Sequence, residues 1–213
     1  MTSQMLRKSR SEKELMRINV PINEHLPYVE AERDVLIRSK VEIINRIIPL
    51  AITAAKALEA PDEYLEEAVE EFQANNLFSY EERQFMESAT TNEQDKINYS
   101  WKLESIWVLL WSVGLVPELN SPDNTCDVDL LFDVVLNSSK DDLINKAAVK
   151  QKSIILDELD FIYRAHWSVR NAQLHGTDIP AALDEGVVYE RHYAFNWLVH
   201  YMDQEWEEIS TDT

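Results

Sequence analysis

In the segment 152–175, Asp157, Asp160, Arg164, Ser168, Asn171 and His175 recur at spacings of 3, 4, 4, 3 and 4, so a helix there aligns them as one narrow polar stripe. Ile154, Phe161 and Ala165 crowd one flank and Leu156, Tyr163 and Trp167 the other, whereas a solvated helix carries a broad polar face. A buried stripe is one reading. A solvent-facing one, with an ordinary Asp160 to Arg164 pair worth a few tenths of a kcal/mol, is the other. Further along, Arg191 projects into an apolar arc of Val188, Phe195, Leu198, Val199, Met202 and Trp206. A guanidinium cannot neutralise itself, so it must meet a carboxylate, and Glu104, Asp157 and Asp160 are the candidates. Glu104 is itself misplaced for a surface acid, because a helical period puts Trp101, Trp107, Val108 and Trp111 within roughly 60° of it. Buried charge is tolerated when paired, so Glu104, Asp157, Asp160, Arg164 and Arg191 together predict an ionic network inside an apolar fold.

Other chemistries fit less well. His192, Asn196 and Asp203 fall within about 40° of one another on a helix, with His200 somewhat further round. They lack the HExxH or ExxH spacing of a metal site, so no metal is expected. Cys126 lies in an acidic loop that disfavours its thiolate, no serine occupies a nucleophile elbow, and no glycine-rich phosphate cradle exists. His166 and His175 read as structural histidines, and neither a catalytic residue nor a cofactor is expected. The remaining ligand hypothesis places a small anionic molecule against Arg164, Arg170, His166 and Arg191, with Trp101, Trp107, Trp111, Trp167 and Trp197 as aromatic walls.

The elements that must carry these residues read as helices throughout. The spacing predicts an all-α chain: a single compact domain of about eight to nine helices with a central buried helix. Segment 1–28 holds a short helix and a proline-containing extended stretch, 29–95 a long helix and acidic helices, and 96–213 a tryptophan-rich core and the C-terminal signature helices. Ser11 to Glu14 suggests a capping box for the first helix, and Pro21 and Pro27 disfavour helix after it. A long apolar helix is expected from about Val29 to Leu58, bent or divided at Pro49. Pro61 and Asp62 open an amphipathic helix with Leu65, Val69 and Phe72 inside, and Ser79 to Glu82 caps another. The tryptophan helix spans about 92–114, 117–124 is a loop, and shorter helices follow at 127–136 and 140–149. Two long ones, about 152–175 and 187–208, complete the chain. Gly114, Gly176 and Gly186 all stand where a periodic segment stops or starts.

Charge narrows the functional classes. The 213 residues carry a net charge of −19, which opposes binding to a phosphate backbone, so nucleic acid is not expected as a partner. The imbalance is concentrated: 59–95 holds twelve acidic residues and only Arg83 against them. That surface suits a basic protein partner, as in an immunity-type protein that neutralises a basic toxin. The single cysteine forbids an intrachain disulfide, and no apolar run reaches the length of a membrane helix. A soluble cytoplasmic protein with no membrane association is the expectation.

The runs ILDELDFIYRAHWSVRNA and VVYERHYAFNWLVHYMDQEWEEISTDT, with WKLESIWVLLWSVG and SEKELMRINVPINEHLPYVE, resemble the family known as domain of unknown function 4272. Ile155, Leu156, Asp157, Asp160, Tyr163, Arg164, His166 and Trp167 supply its first block, and Glu190, Arg191, Ala194, Asn196, Trp197 and Leu198 its second. Glu207 stands where the acidic ending of the family has an aspartate. The resemblance covers most of the chain and implies a bacterial-type soluble helical protein, without an activity to transfer.

Overall fold

A computed structural model describes residues 2–213. Its regular elements are helical, and no strand occurs among the described residues, so the fold is all-α. The helices are α1 (Ser3–Arg17), α2 (Lys40–Ala57), α3 (Asp62–Glu71), α4 (Tyr80–Glu87), α5 (Glu93–Ser112), α6 (Val128–Leu136), α7 (Lys140–Lys146), α8 (Lys152–His175) and α9 (Glu185–Leu198). Two compact units result. One comprises the chain up to Arg38, Leu119–Thr125 and Lys150–Thr213; the other comprises Ser39–Glu118 and Cys126–Val149.

The second unit is built on α2 and α5, which pack along each other, with α3, α4, α6 and α7 against α2. Ser39 starts α2 through a complete capping box: its hydroxyl accepts from the Glu42 backbone N–H and Glu42 accepts from the Ser39 N–H at 2.8 Å. The expected start near Val29 is therefore too early by a full segment, and Val35 lies in extended chain. Pro49 does not divide the helix either. The isoleucines around it are buried, and packing of this kind can outweigh the one backbone bond that proline removes. The box at Ser79 and Glu82 opens α4 as expected, with both arms formed. Asn92 caps α5 by accepting from the Asp95 N–H at 2.8 Å. After α5 the chain turns at Gly114, whose φ of +73° is a conformation glycine adopts freely.

The first unit packs α8 between α1 and α9. Its α1 begins at Thr2, which caps it, so Ser11 is interior and donates back to the Arg7 carbonyl instead of opening a helix. The 24 residues of α8 match the range read from periodicity, ending at left-handed Gly176. Asp184 caps α9 by accepting from the Gly186 and Val187 N–H groups at 2.9 and 3.0 Å. That helix stops at Leu198, ten residues before the expected end at 208. His200, Met202 and Asp203 all take positive φ there without a glycine, and short 3-10 turns carry the chain to its end. Among the described residues no helix is long and apolar enough to cross a membrane.

Candidate functional site

Helix α8 buries the middle of its polar stripe and leaves the ends partly or fully exposed. Asp160 and Arg164 are 0% and 2% accessible, Ser168 is buried, Asp157 and Asn171 are half-buried, and His175 is exposed. The carboxylate of Asp160 holds Arg164 as a fork, Oδ2 to Nε and Oδ1 to Nη2, both at 2.9 Å. Arg164 Nη2 also donates to the Pro27 carbonyl at 3.0 Å, and Glu12 lies 3.9 Å from Nη1. This i,i+4 pair is thus part of the interior rather than a surface ornament. The Ser168 hydroxyl, one turn further along, is buried without a hydrogen-bond partner among the described residues.

Asp157 joins different arginines from those the stripe suggested. It accepts from Arg7 Nε at 3.1 Å and from Arg10 Nη2 at 2.6 Å, so it belongs with α1 rather than with Arg164. Arg191 is buried at 2% exposure, and its Nη1 donates to the Asn120 carbonyl at 3.1 Å. In the other unit Glu104 is buried to the same degree and accepts from the Cys126 backbone N–H. A carboxylate so placed takes a backbone donor where water would otherwise solvate it. Trp107 and Trp111 are buried beside it along α5, with Trp107 Nε1 donating to the Glu118 carbonyl at 3.1 Å, and Trp101 is half-buried.

Two histidines meet between α8 and α9. The Nδ1 atoms of His166 and His192 are 2.8 Å apart, with both rings buried. One nitrogen must donate and the other accept, so the pair holds together only while at least one ring is neutral. Burial, then the cationic Arg170, pushes His166 down to about 4; burial, then His166 itself, pushes His192 to about 3. Arg170 is exposed and donates to the Gln173 side chain at 2.7 Å. Asn196 donates to the Ser210 carbonyl at 2.7 Å, which fastens the C-terminal segment to α9. Asp203 is not on that helix: it sits exposed in the left-handed turn after it, so the grouping of His192, Asn196 and Asp203 on one face does not form. Trp197 is covered by Arg38, whose guanidinium is 4.3 Å from the ring centre and donates to the Trp197 carbonyl at 2.9 Å. Trp167 is half-buried on α8. Among the described residues no group of three or more His, Cys, Asp or Glu side chains is placed to hold a metal.

Two arrangements escaped the sequence reading. Arg46 on α2 and Glu82 on α4 form a buried ion pair, with one guanidinium nitrogen donating to both carboxylate oxygens. Composition places Glu82 among the surface acids; the signal against it is Arg46, set between Ile43, Ile44, Ile47 and Ile48 like Arg191 in its arc. The second is a cleft of about 490 Å³ on the first unit, where Arg7, Arg10 and Arg17 of α1 face Asp157, Glu158 and Phe161 of α8.

The family model described as Domain of unknown function (DUF4272) matches residues 7–209 of the chain. No curated protein and no solved structure matches it.

Proposed function

We propose that this chain, which belongs to the DUF4272 family, is a non-catalytic interaction protein whose acidic α3–α4 surface docks a basic protein partner. The observation that carries this reading is the exposure of the acids: of the twelve between 59 and 95, Glu82 is buried, Asp95 is half-buried and the rest face solvent. Few cations answer them. Lys96 is held by Glu59 at 2.7 Å, and Arg83 is tied to the Asn75 carbonyl at 3.0 Å. Asp62, Glu66, Glu70 and Glu87 rim a cleft of about 540 Å³ floored by Leu65, Val69 and Phe78. Tyr64 and Tyr80 stand exposed in the same segment, and tyrosine is a residue type that protein interfaces favour.

The buried polar groups support a structural role for the ionic network. Arg164 is forked by Asp160, Arg191 reaches a backbone carbonyl, and Arg170 is engaged by Gln173, so the guanidiniums first considered for a ligand are already occupied. An immunity-type protein that masks a basic toxin would use this distribution: a fixed interior and an anionic face.

The test is capture from native lysate with wild type and with a variant carrying Glu63, Glu66, Glu67 and Glu70 each changed to Gln. A basic protein retained by wild type, released by raised salt and lost to the variant supports the reading. If wild type retains nothing that the variant fails to retain, the reading falls.

A further inference from the structure

The cleft between α1 and α8 runs against the charge of the rest of the chain. In a protein of net charge −19, one face of α1 gathers Arg7, Arg10 and Arg17, and all three line a concavity. Their roles differ. Arg7 is buried and committed, donating to Asp157 and to the Glu30 carbonyl at 3.3 Å. Arg10 and Arg17 are largely exposed, at 62% and 69%, and each is held by a carboxylate that is itself exposed to solvent by more than a third. Exposed pairs of this kind are weak, so an incoming anion displaces them at little cost. Asp157 is not stranded when Arg10 turns away, because Arg7 keeps its hold at 3.1 Å.

Helix α8 and the end of α1 complete the concavity. Phe161 and Ile18 are half-buried and supply apolar surface. Glu158 is half-buried there and makes no hydrogen bond or ion pair to any described residue. Burial, reinforced by the neighbouring Asp157 and opposed by Arg191, raises its carboxyl above the usual range. A carboxylate there opposes an anion bound beside it, and the upward shift lessens that opposition by favouring the neutral form.

We propose that this cleft binds a small organic anion, a carboxylate or phosphate, with its charged end on Arg10 and Arg17 and its apolar body against Phe161 and Ile18. The two arginines are two helical turns apart, about 10 Å by the helical rise, and approach a common ligand from either side. A planar fork suits either anion, and the mixed lining suits an aromatic or aliphatic body. The site is independent of the acidic docking face, and the failure of either leaves the other standing.

Phenyl phosphate, benzoate and benzyl alcohol, titrated calorimetrically into the full chain at constant ionic strength, test it. Saturable binding of one or both anions, and none of the alcohol, is expected; which anion binds more tightly identifies the ligand class. Arg10→Ala with Arg17→Ala should weaken that binding tenfold or more, while Arg33→Ala, an exposed arginine outside the cleft, leaves it unchanged. Glu158→Gln, which removes a negative charge and keeps a donor, should tighten it. Should the double variant unfold, Arg17→Gln alone, at an exposed position, should still weaken binding severalfold. No saturable binding of either anion, an equal loss in Arg33→Ala, or anything but a tightening in Glu158→Gln overturns the proposal.

Discussion

Each unit of this chain buries an arginine against a carboxylate, but by different means. Arg46 and Glu82 are 36 residues apart on separate helices, and Arg46 lies in a run of buried isoleucines. Asp160 and Arg164 are one turn apart on α8, and the surrounding interior contributes the Pro27 carbonyl and Glu12 besides. The first pair joins two helices in a nearly apolar setting. The second is local, on a helix that buries His166 and Ser168 too. A buried charge that loses its carboxylate in a nearly apolar setting meets more of the desolvation penalty than one beside further acceptors.

The sharpest way to break this contrast is Glu82→Leu. It takes a buried carboxylate from the Arg46 guanidinium and removes one arm of the α4 capping box, so a loss of about 3–5 kcal/mol is expected in urea unfolding. Adding Arg46→Met should recover most of that loss, since replacing both partners by apolar side chains is often neutral. If the single variant loses less than about 1 kcal/mol, the pair does not carry the weight assigned to it. Asp160→Asn comes second. Arg164 keeps the Pro27 carbonyl and one amide oxygen in place of the two carboxylate oxygens, so about 2–3 kcal/mol is the expected cost by the same measurement.

The histidine pair sharpens the contrast through pH. Both rings have their folded-state values depressed, to about 4 and about 3, below the ordinary 6.5. The folded state therefore resists protons that the unfolded chain accepts, so their stabilisation is complete above pH 6.5 and is lost as pH falls toward 4. Between pH 6.5 and 5.5 each histidine should remove about 1 kcal/mol. Changing His166 and His192 to Asn should flatten that slope in denaturant unfolding across the range; an unchanged slope would place the titrating group elsewhere.

What the sequence reveals about these regions follows from the range of each interaction. The limits of α8 are legible because 24 residues of periodic pattern end in Gly176, and the burial of Glu104 and Arg191 because each interrupts an apolar arc. The identity of their partners is a tertiary fact. Asp157 is an instance: helical phase placed it with Arg164, yet α1 brings Arg7 and Arg10 to it from about 150 residues away. The end of α9 is illegible for another reason. His200, Met202 and Asp203 adopt left-handed backbone without the glycine or proline that usually marks a stop, and hydrophobic spacing continues through Met202 and Trp206 as if the helix went on. Ser11 and Glu14 show the converse, a correct capping spacing inside a helix that Thr2 has already begun.

The smallest effect is the most discriminating for function. Glu66→Gln with Glu70→Gln, on the exposed face of α3, should change stability by no more than about 0.5 kcal/mol, because neither carboxylate has a partner to lose among the described residues and removal of like charge relieves repulsion. Glu82, twelve residues beyond Glu70 in the same acidic segment, should behave oppositely. Composition alone treats the three alike; solvent decides between them. If the α3 acids proved as costly to neutralise as Glu82, they would be part of the fold and unavailable to a partner. If they are neutral for folding yet required for salt-sensitive retention of a basic protein, selection for binding is the physical reason for a −11 imbalance between 59 and 95 that the fold itself does not need.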